Sequence, residues 1–329
     1  VRYLLRRLGF FTLTLWAALT LNFFIPRMMP GSPVDALRSR TRNRLSQDAL
    51  EQLLTSFGFK PNATMSSQYL DYLGNMFTGR WGVSIGASLG QPIDEIIAHA
   101  LPWTVGLVGV STVIAFLLGT LIGMVTGWRR GGILDSVLPT VFVISSALPY
   151  FWVALLLILV FSVWTGGWLP HDFNYDSTIV PAWSSEFISS VLVHAVLPAT
   201  TIVITAVGGW ILMMRNNMIA TLSEDYVRMA RAKGLPDWKI MTGYAARNAI
   251  LPNLSGFAMS LGFVVSGSIL VEYVFNYPGL GYLLYNAVQN TDYPLMQVLF
   301  MLFTMAVLVA VLLCDFAIVA LDPRARVKA

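Results

Sequence analysis

The sequence predicts an all-α integral membrane protein whose chain crosses the bilayer as six helices. Two observations carry that expectation. Of 329 residues, 56% are hydrophobic and only 12% are charged, whereas soluble domains carry about 25% charged residues. The apolar residues also gather into six long runs, not into the short alternating stripes of a soluble core. In hydrocarbon each backbone polar group needs an internal partner, so runs of about 20 apolar residues mean helices.

The first run, Leu8–Pro26, follows the basic start VRYLLRR. A secretory signal starts in the same way, but no small-x-small cleavage site follows, so a retained first span that also directs export is expected. The second run, Trp103–Thr126, has no charge. The third lies within Val137–Trp164 and is broken by Pro149; the fourth lies within Phe187–Met214 and contains Pro198. The fifth, Ile250–Phe275, is interrupted only by Glu272, and the sixth, Leu295–Cys314, is followed by Asp315. Glu272 and Asp315 read as anchors at span ends, where a carboxylate reaches water at small cost. Pro139, Pro149 and Pro198 are expected to mark kinks or span ends.

Charge sets the orientation. Lysine and arginine number 3 before the first run, then 7, 2, 0, 6 and 0 in the successive connections, and 3 after the last. Cytoplasmic segments hold the excess cations, so both termini and the connection 215–249 are expected inside. The connection with 7 cations is the exception, but loops longer than about 60 residues translocate largely regardless of charge. The domain reading is therefore a cytoplasmic N-terminus and first span (1–26), an extracytoplasmic insertion (27–102), and a five-helix membrane core (103–329).

The insertion reads as partly helical. SQDALEQLLTSFG has Ser46 as an N-cap and Gly58 as a stop, and SSQYLDYLGNMFTG offers a second helix ending at Gly79. PIDEIIAHALPWT places Ile93, Ile96, Ile97 and Leu101 on one face, as in a helix lying on the membrane surface and feeding the second span. Arg38, Arg40, Arg42 and Arg44 form either a solvated loop or a dock for an acidic partner. The single cysteine, Cys314, excludes an intramolecular disulfide. His99, His171 and His194 lie far apart, without metal-ligand spacing.

The most deliberately capped stretch is cytoplasmic: EDYVRMARAKGLPDWK, Glu224–Lys239. Ser223 is a candidate N-cap, acids fill the first turn, and Arg228, Arg231 and Lys233 follow near the end, which complements the helix dipole. Gly234 is placed for a left-handed stop, with Pro236 opening the next helix. Tyr226, Met229 and Ala230 fall on one face by i, i+3, i+4 spacing. Two readings fit these residues: a rigid plug for a groove in another protein, or a basic helix resting on anionic headgroups.

The stretch DYVRMARAKGLPDWKIMTGYAARNAILP, Asp225–Pro252, strongly resembles the EAA loop of binding-protein-dependent ABC importer permeases, with ARAKG and RNAILP carrying the match. The tail DFAIVALDPRARV, the segment VEYVFNYPGLGYLLYNAVQNTDYPL and the stretches before the second span resemble the same family, in its dipeptide/oligopeptide branch. Two outer motifs depart from the family pattern by losing an acid: Met29-Pro30-Gly31-Ser32-Pro33 and Gly79-Arg80-Trp81-Gly82.

The resemblance implies the six-helix type I importer fold in a bacterial or archaeal cytoplasmic membrane. It implies that Tyr226, Met229, Ala230, Arg231, Ala232, Lys233 and Gly234 form a coupling helix seated in a cytoplasmic ATPase. It further implies a second homologous permease, two ATPase subunits, an extracytoplasmic substrate-binding protein and lipid as partners, with no nucleic acid. No G-x-x-x-x-G-K-S/T loop occurs in the chain, so ATP and Mg belong to the ATPases; this chain is expected to be non-catalytic, with no cofactor or metal of its own. Short peptides are the substrate the branch implies, with oligosaccharides or nickel as alternatives. Ser145, Ser146, Tyr150, Ser260, Ser266 and Ser268 are candidate pathway residues, although serines near glycines also serve helix packing. A self-sufficient secondary transporter would show internal repeats and mid-span charges, and an intramembrane enzyme would show motifs such as H-E-x-x-H; the sequence has neither.

Overall fold

The computed structural model describes residues 2–29 and 63–321, with the single positions 38, 46, 52 and 55 between them. At the two ends, side chains are described from Arg7 onward and as far as Leu313. Readings placed on Arg40, Arg42 and Arg44, on most of the Ser46–Gly58 helix, on the Cys314 and Asp315 side chains and on residues 322–329 lie outside the described residues.

Among the described residues the architecture is all-helical. In chain order the α-helices are α1 Arg2–Met28, α2 Met65–Thr78, α3 Ile93–Thr104 and α4 Val110–Trp128. They continue with α5 Ile133–Ala147, α6 Tyr150–Ile158, α7 Ser185–Leu222 and α8 Asp225–Ala232. The last are α9 Asp237–Lys239, α10 Arg247–Val264, α11 Ile269–Val274, α12 Leu280–Gln289 and α13 Tyr293–Leu321. Among the described residues, four helical stretches are long and apolar enough to cross a membrane: Arg7–Met28, Ile93–Trp128, Ser185–Leu222 and Tyr293–Leu313. The pair Ile133–Ala147 and Tyr150–Val163, bent by 98°, makes a fifth if it is one span. The bend falls at Pro149, where the sequence places it, because the residue before a proline is pushed out of the helical region.

Two expectations about the runs need correction. The fifth run is not one helix. It ends at Val264 and resumes at Ile269, with Gly267 at φ +70° in the break. That left-handed conformation suits glycine and cannot continue a right-handed helix. Glu272, expected at a wet span end, is fully buried, with Val271, Phe275 and Tyr277 also buried around it in sequence. The Tyr277 amide donates to the Glu272 carbonyl at 2.8 Å, which closes the short helix just past Val274.

The described residues divide into two compact units. The first comprises Val1–Thr104, Val265–Ile269 and Pro278–Ala329. Its core joins Leu19 and Phe23 of α1, Tyr72 and Met76 of α2, the isoleucines of α3, Leu280 and Leu284 of α12, and Met296 and Leu299 of α13. The α3 stripe at Ile93, Ile96 and Ile97 is buried in this protein core, so it is not the lipid-facing stripe of a surface helix that its spacing suggests. Periodicity identifies an apolar face but not what covers it. Helix α2 ends at Gly79 as expected. It is fastened to α1 by Arg27 donating to Gln68 Oε1 at 3.0 Å and by a 2.7 Å hydrogen bond between the Thr20 and Tyr69 hydroxyls.

The second unit comprises Val105–Val264 and Leu270–Tyr277. Its axis is α7, packed on α4 along a glycine seam. A Cβ at Gly123 would lie 2.6 Å from the Ile211 carbonyl, and one at Gly127 would lie 2.6 Å from Met218 Cβ. Small residues four apart let helix backbones approach closely. The paired positions, Gly123 with Ile211 and Gly127 with Met218, rise together, so α4 and α7 run parallel and end side by side. By contrast, Asp135 pairs with Arg215 and the Ser145 hydroxyl donates to the Ile204 carbonyl at 3.1 Å. One number rises as the other falls, so α5 lies antiparallel on α7.

Candidate functional site: a capped knuckle below the long helix

At 38 residues, α7 is about 57 Å long, far longer than the ~30 Å hydrocarbon core. Its end is closed by Ser223, whose amide and hydroxyl both donate to the Ala220 carbonyl, at 3.2 and 2.7 Å. Ser223 therefore terminates the long helix and is not the N-cap of the next one. That position belongs to Glu224, with extended φ −73° and ψ 145°. The correction follows from backbone accounting: α7 continues about two turns past the expected span and takes up the serine at its own end.

Helix α8 then closes as its sequence dictates. Gly234 adopts φ +71°, its amide donates to the Arg231 carbonyl at 2.9 Å, and the Leu235 amide reaches the Ala230 carbonyl at 3.4 Å. These two bonds are the Schellman pattern, which satisfies carbonyls left over at a helix end. Pro236, extended at ψ 144°, starts α9, which leads through a π-helical stretch, Ile240–Ala246, into α10.

The knuckle has two faces. Val227, Ala230 and Ile240 are buried together, covered by Trp128, Leu222 and Leu235. Outward stand Tyr226 and Met229, 38% and 58% exposed, followed by exposed Arg231, Ala232, Lys233 and Gly234. Ala230, placed by spacing with Tyr226 and Met229, is only 2% exposed and faces inward with Val227. Its small size lets α8 lie against its support. The sequence reading missed Val227, although its i, i+3 relation to Ala230 carries the signal. It also missed Trp128, which lies about a hundred residues away and carries no local signal. The Arg231 guanidinium stands 5.4 Å from the Trp128 ring centroid, a cation–π distance. The exposed face is thus a short, firmly mounted knob bearing Tyr226, Arg228 and Met229 along the helix and Arg231 and Lys233 at its C-terminal end.

The candidate pathway residues are dispersed. The Ser145 hydroxyl donates to the Phe142 and Ile204 carbonyls at 2.9 and 3.1 Å. Ser146 donates to Phe142 at 2.8 Å and Ser260 to Phe257 at 2.8 Å. Tyr150, at the start of α6, is 51% exposed. Ser266 and Ser268 flank the Gly267 break and belong to the first unit.

Several membrane-length apolar helices among the described residues, with a compact, basic knob on an intervening loop, define a multi-pass membrane component. The model of the family described as binding-protein-dependent transport system inner membrane component matches residues 119–327. The chain belongs to that family. It is 32% identical over 323 residues to the oligopeptide transport system permease protein AppB of Bacillus subtilis, covering 98% of each chain. It is 31% identical over 340 residues to the di/tripeptide transport system permease protein DppB of Pseudomonas aeruginosa, again covering 98% of each. It is 29% identical over 327 residues to the dipeptide transport system permease protein DppB of Lactococcus lactis, covering 99% of each.

Proposed function

We propose that this chain is a translocation subunit of an ATP-driven importer of short peptides, and that α8 is the element its ATPase engages. The observation that carries the reading is the knuckle. Its inner face is locked by Val227, Ala230 and Ile240, while Tyr226, Met229, Arg231, Ala232, Lys233 and Gly234 are presented outward. A rigid, self-capped knob transmits force, whereas a floppy loop absorbs it. Similarity over nearly the full length to permeases named for peptide transport supports short peptides as the substrate.

In this reading both termini are cytoplasmic, residues 27–102 are extracytoplasmic, and the broken α10–α11 run supplies the sixth crossing. The chain works with a second permease, two ATPases that bind ATP and Mg, and an extracytoplasmic receptor. Ser145, Ser146, Tyr150, Ser260, Ser266 and Ser268 are offered as pathway residues, with Tyr150 the first to mutate because it is the most exposed.

The test is purification in mild detergent from the host, followed by reconstitution with whatever co-purifies and uptake of labelled di- and tripeptides. Co-purifying Walker-motif ATPases and ATP-dependent peptide uptake support the reading. Uptake of oligosaccharide or nickel in place of peptide overturns the substrate. A chain that stays alone after cross-linking overturns the importer and returns α8 to the headgroup reading.

A further inference from the structure

The second unit contains an ion pair that the functional reading does not use. Asp135 lies in the first turn of α5 and Arg215 two turns before the end of α7. The guanidinium engages the carboxylate with two prongs: Nε on Oδ1, and Nη2 on Oδ2 at 3.0 Å. Two-pronged arginine–carboxylate pairs fix orientation as well as distance. The Gly131 amide donates to the same Oδ2 at 2.9 Å, so the carboxylate also holds the turn between α4 and α5. The side chains are 6% and 24% exposed, respectively. A pair this shielded is weak evidence for stability, because desolvation offsets much of the attraction. Its two-pronged form and its third donor, the Gly131 amide, point to geometry.

The surroundings say which geometry. Arg215 stands on the glycine seam, where a Cβ at Gly127 would lie 3.0 Å from its carbonyl. One residue beyond Gly127, Trp128 covers the buried face of α8. Because α4 and α7 run parallel, Trp128 and Leu222 support α8 from adjacent helix ends. The knuckle is therefore mounted on the α4–α7 pair. Farther along, α5 is held on α7 at Gly208, where a Cβ would collide with the Phe142 carbonyl, and by the Ser145–Ile204 bond; at its first turn it is tied to α7 by the Asp135 carboxylate.

We propose that the Asp135–Arg215 pair is the joint through which displacement of α8 reaches α5, so that both residues are positioning residues for coupling ATP hydrolysis to transport. Movement of the knuckle carries α4 and α7 as one body, and the ion pair makes the start of α5 follow. Without it, α8 still docks and the ATPase still turns over, but the start of α5 no longer moves in step. The inference rests on the importer reading above.

The test uses the whole complex in proteoliposomes and reads substrate transported per ATP hydrolysed, normalised to assembled complex. Asp135→Asn and Arg215→Gln are each expected to leave ATPase activity within about 2-fold and to lower transport per ATP by 5-fold or more. The charge swap Asp135→Arg/Arg215→Asp is expected to recover at least half of the loss. A merely structural role lowers the yield of complex but not this ratio. Unchanged transport per ATP in assembled single variants overturns the proposal. If a single variant fails to assemble, Arg215→Lys decides. It keeps the charge and loses the fork, so an assembled complex with reduced transport per ATP supports the joint, and an unreduced ratio overturns it. If no variant of the pair assembles, the pair is a folding requirement and the proposal falls. If the wild-type complex transports nothing, the importer reading fails and takes this inference with it; wild-type transport with unchanged single variants sinks this inference alone.

Discussion

The Ser84 hydroxyl donates to Asp292 Oδ2 at 2.5 Å across 208 positions of sequence. The same carboxylate accepts the Gly86 amide at 2.9 Å and the Ile85 and Leu295 amides at 3.3 Å each. Asp292 thus caps the start of α13 and clamps the loop before α3 in one site, fully buried. The loop has no slack, since a Cβ on Gly86 would lie 2.5 Å from Asp292 Oδ2.

The first prediction concerns this clamp. Asp292→Ala removes a cap and leaves buried donors without an acceptor, so it is expected to cost about 2–4 kcal/mol, read as a lower thermal midpoint in detergent. Burial pushes the Asp292 carboxyl above the ordinary carboxylate range, outweighing the four donors that pull it down. The folded state then holds this proton more tightly than the unfolded chain does. The contribution of Asp292 to stability is fullest at pH below the unfolded value and declines as pH rises through the folded one. A thermal-midpoint series against pH should therefore slope down more steeply through the acid range in the wild type than in Asp292→Asn. Equal slopes refute the assignment.

Gly234 should tolerate substituents by backbone conformation and not by size. No atom lies within 4 Å of a Cβ built there, but φ is +71°. Gly234→Val is expected to strain the helix end by about 1–2 kcal/mol and to abolish transport while the chain still inserts. Gly234→Asn should retain most transport, because asparagine visits the left-handed region more readily. Equal transport by both variants counts against the cap.

The knuckle should separate docking from folding. Met229→Ala and Tyr226→Ala trim exposed side chains and are expected to weaken ATPase association about 10-fold or more, with little change in thermal midpoint, as for anchor residues at an interface. Ala230→Leu overfills the packing with Val227 and Ile240 and is expected to lower stability by about 1–3 kcal/mol. A midpoint drop for Met229→Ala as large as that for Ala230→Leu would show the two faces are not distinct.

The glycine seam makes a paired prediction on neighbouring helices. Gly123→Ala places a methyl 2.6 Å from the Ile211 carbonyl and 2.8 Å from Met214 Cβ. It should lower the thermal midpoint by an amount corresponding to about 1–3 kcal/mol. Gly209→Ala, on α7 where no atom lies within 4 Å, should be neutral or slightly stabilising, since alanine is the better helix former by about 1 kcal/mol. Similar midpoints for the two variants would disprove the close approach.

What the sequence determined by itself is what short range dictates. The apolar runs announce membrane helices because unpaired backbone groups are intolerable in hydrocarbon. Pro149 breaks α5 from α6 and Gly234 closes α8, each through dihedral limits written into one residue. The motif from Asp225 to Pro252 identifies the loop because its caps and small residues are local. What only the tertiary structure decided is which surfaces face each other. It buried the α3 isoleucines in protein and not lipid, turned Ala230 inward, and buried Glu272 beyond the break at Gly267. It joined Ser84 to Asp292 and Asp135 to Arg215. The reason is physical: a carboxylate's partner and an apolar face's cover are set by close approach between helices far apart in the chain, and no local periodicity encodes that distance.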